Sequence, residues 1–378
     1  MMDSLEHYFY VLIQCVCAVY LAMGVVLSFW KVPTTAEYVP YRNAKRSLTT
    51  TFFIMALNLL AWLNVSSAND WTMLNPLVKC IDFMFFYLEA VFFCYTFYYL
   101  VNEKCMTWRK VLKDWAIFLV SSALMVLSVL RVFGKASSWI GVLPFLAFFV
   151  QVVIFLHRFY YLYNEKRKKL DDYFAEDMQL YMFWTKKSLF FIILTGILSF
   201  ASLLFGIIYN YLFQIYVVSA NLYIAISFMN YAQLYGKLNL AEVKETDRIE
   251  TQEEEQKTCS IDNYEQLFGE HVLRWLDDKK YLASQLTIDD MAAAMGTNKL
   301  YMSRYINRKY GVNFSAWITQ LRLEEAKSYM KANPNVKQEE VAFHSGFSSS
   351  SYFSKVFSRI EGMTPAAWRK EITQRLTP

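Results

Sequence analysis

Two short helices joined by a tight turn are predicted by TIDDMAAAMGTNKLYMSRYINRKY, the sequence of residues 287–310. Thr287 and Asp290 form the pattern of a helix N-terminal cap, and Gly296 interrupts the helical spacing that follows. The second helix, Lys299–Tyr310, carries four basic residues and no acidic residue. A short helix, a turn with glycine and a second helix are the components of a helix-turn-helix.

The same pattern recurs farther along the chain. A long helix is predicted over residues 316–331, and a short one over residues 337–345. Gly346 breaks the short helix, and another helix then runs to about Ile360. Residues 262–378 are therefore predicted to form one all-helical domain, in which a long helix joins two helix-turn-helix units.

Short motifs in a fixed order run through both units and the helix between them. They are Met291-Ala-Ala-Ala-Met-Gly296, Met302-Ser-Arg304, Lys309-Tyr-Gly311, Leu321-Arg-Leu-Glu-Glu-Ala326, Val341-Ala342, Ser345-Gly-Phe347, Ser351-Tyr-Phe-Ser-Lys-Val-Phe357, Thr364-Pro365 and Trp368-Arg369. In this order and spacing they resemble the DNA-binding domain of the AraC/XylS family of bacterial transcription regulators. The resemblance covers residues 264–372. Gln338 and Ser358 depart from it, because the family usually has an apolar residue and a lysine there.

The resemblance implies sequence-specific binding to double-stranded DNA at a promoter or operator, with RNA polymerase as a further partner. One recognition helix from each unit would enter the major groove. The positions that would read bases are Lys299, Leu300, Ser303 and Arg304 in the first unit and Ser350, Ser351, Ser354 and Lys355 in the second. The positions that would meet phosphate are Arg308, Lys309 and Arg359. Of these residues, Arg304 is the one suited to a bidentate contact with guanine.

The sequence of this domain contains none of the common catalytic or metal-binding motifs. It has no H-E-x-x-H, no G-x-S-x-G, no phosphate-binding loop and no paired cysteines. His271 and His344 have no cysteine or histidine at the spacing of metal ligands. We therefore expect no enzymatic activity, no catalytic residue, no metal and no cofactor.

The rest of the chain is far more apolar. Hydrophobic residues make up 56% of the whole sequence, against about 45–50% in soluble domains. The excess lies before residue 236, in seven runs long enough to be membrane-spanning helices. The predicted spans are residues 8–30, 48–65, 80–101, 115–133, 140–163, 188–209 and 212–234. A turn at residues 210–211 would separate the last two.

Lysine and arginine alternate between the predicted loops. The loops after the first, third and fifth spans hold four, four and six of them, and the other loops hold at most one each. Because cytoplasmic loops carry the excess of positive charge, this alternation predicts an outside N-terminus and a cytoplasmic C-terminal domain. With a bacterial regulator, the membrane would be the inner, or cytoplasmic, membrane.

Ionisable residues inside a span are costly and are therefore candidates for function. Asp82 and Glu89 in the third span are seven residues apart, so they share one helix face. They are the candidate membrane signal site, and Gln151, Gln214, Asn221 and Asn230 could line the same interior. The alternative is a buried polar network that only orients the bundle.

An acidic stretch joins the two parts. Residues 242–257 hold seven acidic and three basic residues, with no proline or glycine. This composition fits either a solvated helix that continues from the last span or a disordered tether.

The sequence as a whole predicts an all-α chain with three parts. Residues 1–236 would be a seven-span sensor domain, 237–261 an acidic linker and 262–378 the DNA-binding domain. We interpret it as a one-component regulator that lies in the lipid bilayer and responds to an unidentified small-molecule or membrane signal, as a monomer or a homodimer. Two alternatives stay open: a transporter or membrane enzyme with a fused regulatory DNA-binding domain, and a membrane anchor without a sensing role.

Overall fold

The computed structural model describes residues 2–65, 76–132, 134, 137–175, 179–201, 207–252, 264–284 and 286–376. Within these ranges the chain forms helices and no strands, which confirms the predicted all-α fold. One isolated antiparallel bridge joins Phe174 to Thr287.

Seven of the helices are long and apolar enough to cross a membrane, the number that the sequence predicts. They are α1 (Met2–Phe29), α2 (Val39–Val65), α3 (Pro76–Val101), α4 (Trp108–Val129), α6 (Val142–Tyr173), α7 (Gln179–Ala201) and α8 (Ile207–Gln252). The four-residue helix α5 (Ser137–Ile140) lies between α4 and α6.

Two boundaries differ from the prediction in ways that matter later. The turn expected at residues 210–211 lies inside α8, and residues 207–235 of this helix include no glycine or proline that would break it. Helix α4 begins seven residues before the predicted start because Thr107 caps it: the Thr107 side chain accepts the Lys110 backbone N–H at 3.4 Å. Lys110 is therefore a residue of the helix itself.

The acidic stretch is helical as far as Gln252, where α8 ends. Of the two forms that the sequence allows for this stretch, the helix is therefore the one present over that length. Residues 253–261 lie outside the described ranges.

The chain divides into two compact units. The first comprises Met1–Lys166 and Tyr181–Leu240, and the second comprises Arg167–Leu180 and Ala241–Pro378. The sequence assigns residues 167–180 to the membrane part, whereas Arg167–Leu180 group with the C-terminal residues in the second unit.

The first unit has an aromatic interior. Tyr41 is fully buried, its ring stacks on that of Phe228 with centroids 4.6 Å apart, and its hydroxyl donates to the Phe228 carbonyl. This contact ties α2 to α8. On the other side of α3, Tyr87 packs edge-on against Phe118 of α4 and Phe148 of α6.

The C-terminal part of the second unit contains the helices predicted for the two helix-turn-helix units, in the predicted order, with one more helix before them and one after them. They are α9 (Tyr264–Asp277), α10 (Ile288–Ala294), α11 (Lys299–Tyr310), α12 (Phe314–Ala332), α13 (Gln338–His344), α14 (Ser350–Glu361) and α15 (Pro365–Leu376), with a 3-10 helix (Lys280–Leu282) after α9. Thr287 and Asp290 form the capping box that the sequence predicts at the start of α10. Asn298 caps α11 and Ser349 caps α14 through their side chains.

Helix α12 connects the cores of the two helix-turn-helix units. Arg322, near its middle, is only 1% exposed, and its guanidinium donates to the carbonyls of Tyr281 at 2.9 Å and Ala283 at 2.7 Å. The turn glycine of the second unit, Gly346, approaches the same segment at Leu282. Arg322 and Gly346 thus both contact the connection after α9. These contacts fix the arrangement of the two helix-turn-helix units.

Candidate DNA-binding surface

Helix α11 has one buried face and one polar face. Its buried face consists of Met302, Tyr305 and Ile306, which belong to the core of the first helix-turn-helix unit. The opposite face leaves Arg304 and Arg308 exposed. Because α11 has no acidic residue, this face is uniformly positive. That arrangement suits a helix that approaches the phosphates and base edges of a major groove.

The predicted readers on α11 are not equally accessible. Three of them, Lys299, Leu300 and Ser303, are half-buried, and the fourth, Arg304, is exposed. The two phosphate candidates on this helix, Arg308 and Lys309, are also exposed. Ser303 also accepts a hydrogen bond from Asn307 one turn later, at 3.4 Å. Arg304 is therefore the base-reading candidate whose side chain is most accessible to DNA.

Helix α14 has the same two-faced form. Its buried face consists of Tyr352, Phe353, Val356 and Phe357. Ser351, Lys355 and Arg359 are exposed on the outer side, whereas Ser350 and Ser354 are half-buried.

Gln338, the first residue of α13, explains why those two serines are less accessible. Its side-chain amide donates to the Ser350 hydroxyl at 3.2 Å and to the Ser354 hydroxyl. This departure from the family pattern therefore links the two helices of the second unit through polar contacts. The sequence shows Gln338 as a departure from the family pattern, but it does not predict that Gln338 lies beside Ser350 and Ser354.

Residues 173–175, which lie far earlier in the sequence, pack against the first helix-turn-helix unit. The Ala175 backbone N–H donates to the Leu286 carbonyl at 3.0 Å, and the Ser315 hydroxyl donates to the Ala175 carbonyl at 3.4 Å. Tyr173 is 7% exposed and Ala175 is 1% exposed. Both belong to the same buried cluster as Ile288 and other residues of the first helix-turn-helix unit. We call residues 173–175 the docking segment.

The docking segment also reaches the start of the recognition helix. The Tyr173 hydroxyl donates to the Asp289 carboxylate at 3.0 Å, and the Lys299 ammonium lies 4.9 Å from the centroid of the Tyr173 ring. Lys299 is thus engaged in a cation–π contact in this conformation. Its side chain would have to leave the ring to reach a DNA base.

Acidic residues of α12 are paired with cations. Lys327 contacts Glu324 at 2.9 Å and Glu361 at 2.7 Å, and Lys279 contacts Glu325 at 2.7 Å. The hydrogen bond to Glu325 raises the pKa of the Lys279 ammonium, so Lys279 is charged at neutral pH. The Lys279–Glu325 and Lys327–Glu361 pairs join elements of the domain, whereas Lys327–Glu324 lies within α12.

In the first unit, Glu89 of α3 has Asp82 of the same helix, Asn58 of α2 and Tyr20 of α1 in its surroundings. Asn221 of α8 donates to the Tyr20 hydroxyl at 3.4 Å. Tyr20 is thus a neighbour of both Asn221 and Glu89.

The other polar residues expected in that interior behave differently. Asn230 is exposed and Gln214 is half-buried. Gln151 bonds to Tyr87 and Asp114, on a different face of α3 from Glu89. The positions of Gln151 and Asn230 correct the expectation of a single polar interior, because each side chain follows the rotation of its own helix.

Comparison with known proteins concerns the C-terminal part of the chain. A family profile described as a helix-turn-helix domain matches residues 291–371. The regulatory protein PocR of Salmonella typhimurium is 29% identical over 106 residues, which are 28% of this chain and 34% of PocR. The urease operon transcriptional activator of Escherichia coli is 32% identical over 91 residues, 24% of this chain and 30% of that protein. The transcriptional regulator MtrA of Neisseria gonorrhoeae is 29% identical over 105 residues, 28% of this chain and 34% of MtrA.

The family profile does not extend into the apolar part of the chain. The chain spans about a third of the length of the relatives named above. No solved structure is significantly similar to it.

Proposed function

We propose that this chain, a transcription regulator whose residues 291–371 form an AraC/XylS-type helix-turn-helix domain, works from within a bacterial cytoplasmic membrane. Its seven apolar helices hold it in the bilayer, with the N-terminus outside and the DNA-binding domain in the cytoplasm. It binds a promoter or operator sequence, acts on RNA polymerase, and is controlled by a signal received in the membrane part.

The observation that carries the DNA-binding part of this proposal is the pair of polar, cationic helix faces on α11 and α14. Arg304 would read a base, and Lys355 would do so from the second unit. Arg308 and Arg359 would neutralise phosphates, which positions the protein without selecting a sequence. The paired helices could enter successive major grooves on one side of the duplex.

The membrane part of the proposal rests on the apolar helices together with the alternation of basic loops. Asp82 and Glu89 stay the proposed signal site of this part. The surroundings of Glu89 support a role in coupling helices, because they include Tyr20 of α1 and Asn58 of α2.

The docking segment supports control of the DNA-binding domain by the membrane part. Helix α6 is apolar enough to span the membrane over most of its length, and its last residue is Tyr173. A shift or rotation of α6 would move Tyr173 relative to Asp289 and Lys299. The docked state would hold Lys299 away from DNA, and release would free it to bind.

Replacing Tyr173 with Ala should therefore tighten binding to DNA by the full chain in lipid nanodiscs, on the order of tenfold. The reason is that the cation–π contact no longer competes for the Lys299 ammonium. Binding is measured by fluorescence anisotropy, with a duplex selected from a random pool by the wild-type chain. Tyr173→Phe keeps the ring over Lys299 and is the matched control for packing.

The effect must act through Lys299, which a double-mutant cycle tests. In a Lys299→Ala background, Tyr173→Ala should leave DNA affinity unchanged. If Tyr173→Ala weakens binding equally in both backgrounds, the docking segment only completes the core and does not control DNA binding.

A further inference from the structure

A cavity of about 60 Å³, partly open to the surface, lies between α3, α4 and α6 in the first unit. Tyr95 and Tyr98 of α3 and Phe155 of α6 form part of its walls, and all three are buried. It lies on a different face of α3 from Glu89, so it is separate from the signal site predicted from the sequence.

One side of this cavity is a hydrogen-bonded chain of polar groups. The Asp114 carboxylate accepts from the Tyr95 hydroxyl at 3.2 Å and from the Gln151 amide at 3.1 Å. The Gln151 carbonyl oxygen in turn accepts from the Tyr87 hydroxyl. Both Asp114 oxygens are therefore already engaged by neutral donors.

Lys110 lines the same cavity, and its ammonium is not matched in this way. The Lys110 Nζ is buried and has no hydrogen-bond partner among the residues that the structure describes. It lies 3.2 Å from the centroid of the Tyr98 ring, and the Arg158 guanidinium lies 5.9 Å from the same centroid. The ring face attracts a cation but accepts no conventional hydrogen bond from its three N–H groups.

The charges around the cavity favour an anion. The charged groups that line the cavity are the Lys110 ammonium and the Asp114 carboxylate, and the exposed Arg158 guanidinium, which does not line it, adds a second positive charge near the Tyr98 ring. A buried ammonium without an acceptor is costly, and an anionic oxygen would supply the missing acceptor through a charge-assisted hydrogen bond.

The cavity reaches the surface along α6. Ile154 lines it and is 60% exposed, and Val150 and Val153 on the same helix are also exposed. In a membrane these side chains would face lipid. A molecule could then enter from the bilayer with its polar end toward Lys110 and its apolar body along the aromatic walls.

We propose that this cavity binds an anionic amphiphile, a molecule with a carboxylate or phosphate group on an apolar body, with Lys110 as the anchor for its acidic group. The inference rests on the proposed membrane embedding and identifies the chemical class of a ligand for the membrane part. A free long-chain acid and an anionic phospholipid share this chemistry, so the test includes both sources.

The test uses the purified full chain in nanodiscs of zwitterionic phosphatidylcholine. Binding of oleate is measured by thermal stabilisation and by mass spectrometry of the intact complex, with methyl oleate as the uncharged probe of equal chain length. Nanodiscs that contain phosphatidylglycerol test the phospholipid source. Neither readout involves DNA.

Oleate or phosphatidylglycerol should stabilise the wild-type chain, and methyl oleate should not. Lys110→Gln should weaken this binding at least about tenfold, the expected loss of a hydrogen bond to a charged group. Lys110→Arg, which keeps the charge, should retain it. Lys113→Gln is the matched control, because Lys113 is exposed on the same helix and does not line the cavity.

Three results would overturn the inference: equal binding of methyl oleate, equal binding by Lys110→Gln, or no stabilisation by either anionic probe. The last two would mean that the Tyr98 ring alone satisfies Lys110. A chain that does not enter nanodiscs would overturn the proposed function before any ligand is added, and this inference with it.

Discussion

Arg304→Ala should weaken binding to the selected DNA duplex by about 10- to 100-fold. A bidentate contact between arginine and guanine contributes about 1–3 kcal/mol of discrimination, and Arg304 is the exposed arginine at a predicted base-reading position of α11. The loss should be concentrated at one base pair, so that changing this base pair no longer affects affinity. Binding is measured at several salt concentrations on a panel of single-base variants.

The matched control is Arg308→Ala, one turn further along the same exposed face. As a phosphate contact, Arg308 should contribute equally to all sequences and lower the salt dependence of binding by about one unit of slope. If Arg304→Ala and Arg308→Ala behave alike, with uniform loss across the panel, Arg304 does not read a base.

Gly346→Ala should destabilise the second helix-turn-helix unit by about 3 kcal/mol or more. Gly346 has a φ of +77°, which L-residues with a side chain rarely adopt. In addition, an added Cβ would lie 2.6 Å from the carbonyl oxygen of Leu282. The strain of the left-handed conformation and the clash with backbone therefore add. Hydrogen exchange of peptides from α12 to α14, followed by mass spectrometry, measures the loss of protection.

Gly296→Ala separates the two causes. Gly296 occupies the equivalent turn of the first unit with a φ of +66°, but an added Cβ there would meet no described atom within 4 Å. It should cost only the conformational strain, about 1–2 kcal/mol. Equal destabilisation by the two substitutions would mean that the contact between Gly346 and Leu282 does not hold the two units together.

The helices of the C-terminal domain could be predicted because their signals are local. The Thr287–Asp290 capping box, the Asn298 cap and the turn glycines each act within a few residues of the position they specify. The seven apolar helices are predictable for a similar reason, since length and composition are enough to identify them. Their ends were less predictable: the start of α4, for example, depends on the Thr107 cap.

The docking segment could not be predicted in this way. Ala175 pairs with Leu286 and Ser315, more than a hundred positions away, and no local pattern specifies such partners. The one available signal was Tyr173-Phe174, an aromatic pair in an otherwise charged loop. The lysines and arginines of this loop predict membrane topology, but they carry no information about the contacts of Tyr173.

Lys110 shows the same limit within the membrane part. Its charge was used as evidence for topology, and its position in a cavity depends on how α3, α4 and α6 pack together. The sequence does contain one signal for this site: Lys110 and Asp114 lie one helical turn apart at the start of a span, so they share a helix face. The DNA-contact residues and the Asp82–Glu89 site stay predictions, because no bound DNA or signal tests them.

The central claim is that a single chain lies in a membrane and binds a specific DNA sequence, and co-flotation tests it most directly. Lipid vesicles carrying the purified chain are washed with alkaline carbonate, mixed with the labelled selected duplex and floated through a density gradient. We predict that chain and duplex float together, and that excess unlabelled selected duplex releases the label whereas a scrambled duplex does not. Loss of the chain from the vesicles during the wash, or floating chain that leaves the duplex at the bottom, would contradict the account.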